Sequence, residues 1–157
     1  MIQSKINAIR ECCTPVVGQT IDRFETAEIL HDDGTWENWP DLPIRIYCAD
    51  GTLLSVSWSR FDDLWLSNDD SLPFPVEDDK TRWKVNGLDK IDTAVGKVIH
   101  GVMLGRGEMT IESREIDIWT RLVFDLGSMW FEVFNAMDEN GYDVHLAKPQ
   151  GEFVHCT

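Results

Sequence analysis

Apolar residues recur at helical spacing only near the start of this chain. Ile2, Ile6, Ile9 and Cys13 share one face with Lys5 and Arg10 off it, which predicts a helix over residues 2–13 that Pro15 ends. From Val17 onward the period is two. One strand is expected around Thr20 to Thr26, then a loop from His31 to Pro43 that carries Asp32-Asp33-Gly34, Trp36 and Trp39. Ile44–Cys48 runs into Asp50-Gly51, and Leu54, Val56 and Trp58 alternate with serines on the return, the pattern of a β-hairpin. A short strand is expected within Phe61 to Leu66. Asn68 to Asp79, acidic and broken by Pro73 and Pro75, reads as an exposed connector.

Asn86-Gly87 marks a turn in the second half. Val98 to Leu104 reads as a strand with Gly105-Arg106-Gly107 as its exit. Ile116, Ile118, Thr120, Leu122 and Phe124 alternate against Asp117, Trp119, Arg121 and Val123, which predicts a strand turning at Asp125–Ser128 and returning through Met129 to Met137. Asn140-Gly141 is expected to be a third hairpin turn, followed by a strand bearing Tyr142, Val144 and Leu146 and a polar tail from Lys148.

The pattern predicts an α+β fold: a mostly antiparallel β-sheet, strongly bent or two-layered, with one N-terminal helix packed on or beside it. Residues 1–157 are expected to form a single domain. Val17-Gly18-x-x-Ile21 is echoed by Val95-Gly96-x-x-Ile99, each followed by a strand, a Gly-centred turn and an aromatic-rich return strand, so two related β-units are expected over 17–67 and 95–147.

Composition narrows the function classes. An apolar share of 43% supports a packed core and argues against disorder. A net charge of -14, from 28 acids and 14 bases, repels phosphate backbones and anionic membranes and favours basic surfaces. The N-terminus lacks the apolar core of a secretory signal, and no stretch approaches the roughly 20 apolar residues of a membrane span. Cys12, Cys13, Cys48 and Cys156 read as reduced thiols, so a cytoplasmic location is expected.

No nucleophile elbow, phosphate loop, zincin helix or dinucleotide fingerprint is present. Asp138, Glu139, Asn140 and Asp143 lack the spacing of an EF-hand loop, and His145, His155 and Cys156 have no close zinc-ligand spacing. His31 and His100 are the only candidate bases, and both read as ordinary loop or strand residues. The expectation is therefore a non-enzyme without cofactor or metal. What stands out is acidic loops interleaved with aromatics: Asp32, Asp33, Trp36, Glu37 and Trp39 in one, Asp62, Asp63, Asp69 and Asp70 in the other, with Trp65 and Phe74 nearby. Aromatics anchor interfaces, and clustered carboxylates speed encounter with a basic partner. These nine residues are the expected partner-binding set of a bacterial immunity or inhibitor protein that neutralises a basic toxin, in particular a nuclease. The alternatives are an acidic nucleic-acid mimic acting against host defence, a carboxylate- or metal-dependent β-pocket enzyme or binding module, and a homodimer paired through an aromatic sheet face.

Overall fold

In the computed structural model, which describes residues 2–157 and leaves the side chains of 108–111 and 114–117 undescribed, the chain is an α+β structure of one helix and two antiparallel sheets. Helix α1 (Ile2–Cys13) buries Ile6, Ile9 and Cys13, the face its apolar spacing predicts. Lys5 Nζ donates to the Trp119 carbonyl at 2.8 Å and Arg10 Nε to the Cys156 carbonyl at 3.0 Å. Both bonds tie the helix to the second sheet.

The first sheet contains β1 (Ile21–Leu30), β2 (Trp36–Asn38), β3 (Ile44–Cys48), β4 (Leu53–Trp58), β5 (Leu64–Ser67) and β6 (Thr81–Val85). β2 and β3 share one edge of β1, β6 lies along the other, and β4 and β5 continue outward from β3. The second sheet runs β10–β9–β8–β7–β11, from β7 (Gly101–Ile111), β8 (Arg114–Asp125), β9 (Trp130–Asn135), β10 (Asn140–His145) and β11 (Phe153–His155).

Pairing register recurs between the sheets. Phe24 faces Ile46, and Val102 faces Phe124; Glu25 faces Arg45, and Met103 faces Val123. Ile46 faces Leu54, and Phe124 faces Phe131. Where the sheets meet, the Thr20–Val98 bridge is flanked by reciprocal bonds: Gly18 N–H to the Ile99 carbonyl at 2.7 Å, and Gly96 N–H to the Ile21 carbonyl at 2.8 Å. Gly18 and Gly96 sit at φ +83° and +87°, a left-handed turn that glycine makes without steric cost. That shared requirement is the physical content of the Val-Gly echo.

Alternation sends Ile44, Ile46, Leu54, Val56 and Trp58 inward from one sheet and Leu122, Phe124, Phe131 and Val133 from the other, all fully buried. Phe131 packs at 5.0 Å on Phe24 and 5.7 Å on Phe124, so aromatic rings bridge the two layers. Burying each such side chain is worth about 2–3 kcal/mol.

After β5, and again after β10, the chain crosses the outer face of its own sheet to add an edge strand beyond β1 or β7. A guanidinium under each crossing holds it. Arg45 donates to the Asp70 carbonyl at 2.8 Å and stacks on Trp83; Arg121 donates to the Gln150 carbonyl at 2.9 Å and stacks on Phe153.

Several local expectations need correction. Gly105-Arg106-Gly107 does not end its strand: β7 runs through it to Ile111, with a register shift at Gly105/Arg106. Gly105 survives in mid-strand because any Cβ there would meet the Phe153 ring at 2.6 Å. Asn140-Gly141 is not a turn. The turn is Ala136–Glu139, with Met137 and Asp138 left-handed, and Asn140 opens β10 opposite Asn135. The expected loop of His31–Pro43 contains β2, the connector after residue 68 leads into β6, and the polar tail contains β11. The alternation expected through Trp119 breaks at the register shift, so Trp119 packs against the core rather than opposite it. The side chains of Ile116 and Asp117 lie outside the described ones.

Candidate interaction surface

The nine expected partner-binding residues fall on three parts of the first sheet. Asp32, Asp33, Trp36 and Glu37 form the tip and first return residues of the β1–β2 hairpin. Asp33 Oδ1 accepts from the Thr35 backbone N–H at 3.0 Å and its hydroxyl at 2.6 Å, which holds its carboxyl below the usual carboxylate range. Glu37 pairs with His31. Trp36 lies under the Arg82 guanidinium at 4.2 Å, and Arg82 is also paired with Glu28 at 2.7 Å. Trp39 packs edge-on against Phe74 of the first crossing and donates Nε1–H to Asp41. Both tryptophans are half-buried. They brace loops against the sheet, so their indole faces are largely occupied within the chain.

Asp69 and Asp70 lie on the first crossing. Asp69 accepts from the Ser67 hydroxyl at 2.5 Å and from the Ser71 backbone N–H at 2.9 Å, and these bonds push its carboxyl down to about 2. Its own carbonyl is held by Ser55 Oγ. Asp62 and Asp63 lie in the β4–β5 turn. Asp62 pairs with Lys5 at 3.2 Å; burial holds the Lys5 ammonium below the ordinary lysine range, with Asp62 opposing that shift.

Two asparagines lace this turn to the second sheet. Asn135 Nδ2 donates to the carbonyls of Ser59 and Phe61, while its Oδ1 accepts the Asp138 N–H at 2.7 Å. Asp138 Oδ1 in turn accepts the Phe61 N–H at 3.3 Å. Deeper in, Asn140 Oδ1 accepts the Trp58 N–H at 2.7 Å, its Nδ2 donates to the Val56 carbonyl at 3.0 Å, and its backbone N–H reaches the Pro40 carbonyl at 3.0 Å. The segment around Pro40, the β4–β5 turn and the β9–β10 turn therefore form one end of the sandwich.

The outer face of the second sheet carries a different kind of site. Arg121 forms a two-pronged pair with Glu132 at 2.7 and 2.9 Å, and His145 Nε2 sits 2.8 Å from the same carboxylate. Glu132 is 4% exposed. With Thr120, Phe134 and Asp143 these groups line a cleft of about 330 Å³. Arg121, Glu132, Asp143 and His145 give it a dense, hydrogen-bonded set of polar groups.

The groups considered for metal chemistry are engaged elsewhere: Asp138 with Phe61, Asp143 with Lys90 at 3.4 Å, His145 with Glu132. Among the described residues no three His, Cys, Asp or Glu side chains are grouped to hold a metal ion. All four cysteines are free thiols, and burial pushes each of them up, Cys48 to about 11. A high pKa keeps the reactive thiolate scarce. No helix among the described residues is long and apolar enough to cross a membrane.

Sequence reasoning missed Asn135 and Asn140, because each bonds across the two sheets, and Phe61 and Met137, whose exposure depends on that lacing. A faint signal existed: large apolar residues beside Asp-Asp and Asp-Glu pairs. Compared with protein-family models, with curated proteins and with solved structures, the chain has no match.

Proposed function

We propose that this chain is a bacterial immunity or inhibitor protein of the cytoplasm that binds a basic protein, in particular a toxin nuclease, and occupies its cationic cleft. One observation carries the reading: the distribution of carboxylates left over once internal pairing is complete. Lys5, Arg23, Lys80, Arg82, Lys90, Arg106 and Arg121 each face a carboxylate of this chain. Glu11, Asp32, Asp33, Asp41, Asp50, Asp63, Asp69, Asp70, Asp78, Asp79, Asp89, Glu112 and Asp138 are exposed and form no salt bridge among the described residues. Ten of these thirteen precede β6, most of them on the hairpin tip, the β4–β5 turn and the first crossing, and Asp89, Glu112 and Asp138 follow it. Unpaired charge of one sign on one side of a molecule steers an oppositely charged partner and repels wrong ones.

The test compares the wild-type chain with the variant Asp69→Asn/Asp70→Asn/Asp78→Asn/Asp79→Asn, each immobilised and exposed to host lysate over a salt gradient. The wild type should retain a basic protein whose nuclease activity falls when the chain is added back, and the variant should bind it with an on-rate at least several-fold lower. Equal capture by both chains, or no basic protein at all, would overturn the reading.

A second reading rests on the cleft beside Glu132, a small-ligand pocket in which a buried carboxylate orients His145. A melting scan against a panel of polar metabolites checks it, and a flat response across the panel would remove it.

A further inference from the structure

The two turns at the laced end of the sandwich share a feature that local folding does not favour. Each places a large apolar residue in the left-handed region, Phe61 at φ 52° and Met137 at φ 57°. Bulky L-residues are uncommon there because Cβ crowds the neighbouring carbonyl; glycine or asparagine is the usual occupant. Both side chains also point to solvent: Phe61 is 58% exposed and Met137 96%. Neither packs the core, and each would be less costly as glycine. Such strain persists only where the surroundings impose it, and here the Asn135 and Asp138 bonds hold both turns in place.

The outcome is two hydrogen-bonded neighbouring turns, each presenting an apolar side chain to solvent, with Asp63 and Asp138 exposed on them. A centre of Phe and Met within a charged rim is the anatomy of a hot spot and its surround. A second copy of this chain would bring like carboxylates together on a protein of net charge -14, so charge favours a basic partner over self-pairing. We infer that Phe61 and Met137 are the anchor of the interface, inserting into an apolar pocket bordered by Lys and Arg side chains on a basic protein partner. The inference rests on the binding reading above and adds the contact point: the carboxylates of the hairpin and first crossing speed encounter, and the two apolar side chains set the lifetime of the complex.

The test uses the full chain with the photocrosslinker p-benzoyl-phenylalanine at position 61, beside the double variant Phe61→Gly/Met137→Gly. Glycine suits both backbone positions, so the variant should melt at or above the wild-type temperature; Phe61→Asn/Met137→Asn is the second variant should glycine loosen the turns. A crosslink from position 61 to a basic protein, at a site flanked by Lys or Arg, together with a dissociation rate raised at least tenfold in either variant, is the expected result. Capture of a basic protein that both variants bind as long as the wild type does would overturn the anchor and leave the binding reading intact. Absence of any basic partner for the wild type would overturn both. A crosslink to a second copy of the chain would replace this partner with a homodimer.

Discussion

Asn140 and Trp58 join the two sheets at their shared end, the asparagine Oδ1 accepting the Trp58 backbone N–H at 2.7 Å inside the core. The same side chain satisfies the Val56 carbonyl at 3.0 Å, and Trp58 Nε1 reaches across to the Val133 carbonyl at 2.9 Å. Asn140 is 4% exposed, so no water replaces it freely. Asn140→Ala should cost about 3 kcal/mol, because it leaves a buried donor and a buried acceptor unpaired. Urea unfolding checks this. A loss under about 1 kcal/mol would mean that water enters the gap.

Arg121 and Glu132 form the most buried ion pair among the described residues, with side chains 18% and 5% exposed. Arg121→Met alone should destabilise the fold by about 3 kcal/mol by stranding the carboxylate, whereas Arg121→Met/Glu132→Leu should recover most of that loss. A double-mutant cycle in urea measures the coupling, and strictly additive effects would contradict the pairing.

Stability should fall in acid through specific turn carboxylates. Asp69 is pushed down to about 2 by Ser67 and then Ser71, Asp33 is lowered by Thr35, and Asp50 by the Thr52 N–H and hydroxyl. A carboxyl held below its unfolded value of about 4 adds stability that is present above that pH and lost as pH falls towards the folded value. Ser67→Ala/Ser71→Ala should therefore flatten the pH dependence between about pH 4 and pH 2 relative to wild type. Chemical unfolding at pH 5 and pH 3, compared for both proteins, decides it.

Gly141 is constrained by space. A Cβ there would stand 2.5 Å from the Phe134 ring and 2.9 Å from the Ala136 Cβ. Gly141→Ala should cost about 1–3 kcal/mol through overpacking, even though alanine suits a strand better than glycine does. The melting temperature reports the result, and a rise would show that the Phe134 ring swings aside freely.

Local chemistry was enough to read several features from the sequence alone. The helix of Ile2, Ile6, Ile9 and Cys13, the hairpin around Asp50-Gly51 and the return at Asp125–Ser128 all follow from periodicity and turn residues within a few positions of one another. The α+β class and the surplus of acid follow from the same short-range and compositional information.

Contacts distant in sequence decided the rest. β6 and β11 carry weak patterns of their own and become strands because β1 and β7 offer them open edges. Asn140-Gly141 resembles a turn, but Asn140 is drawn into β10 by the Trp58 and Val56 groups that need its amide. Arg82 lies against Trp36 and Phe74 against Trp39, and the lacing of two turns leaves Phe61 and Met137 exposed; no short-range pattern in the sequence gives these contacts. Periodicity shows which side of an element is apolar; only the packed structure decides what meets that side, because the partner surface comes from residues far along the chain.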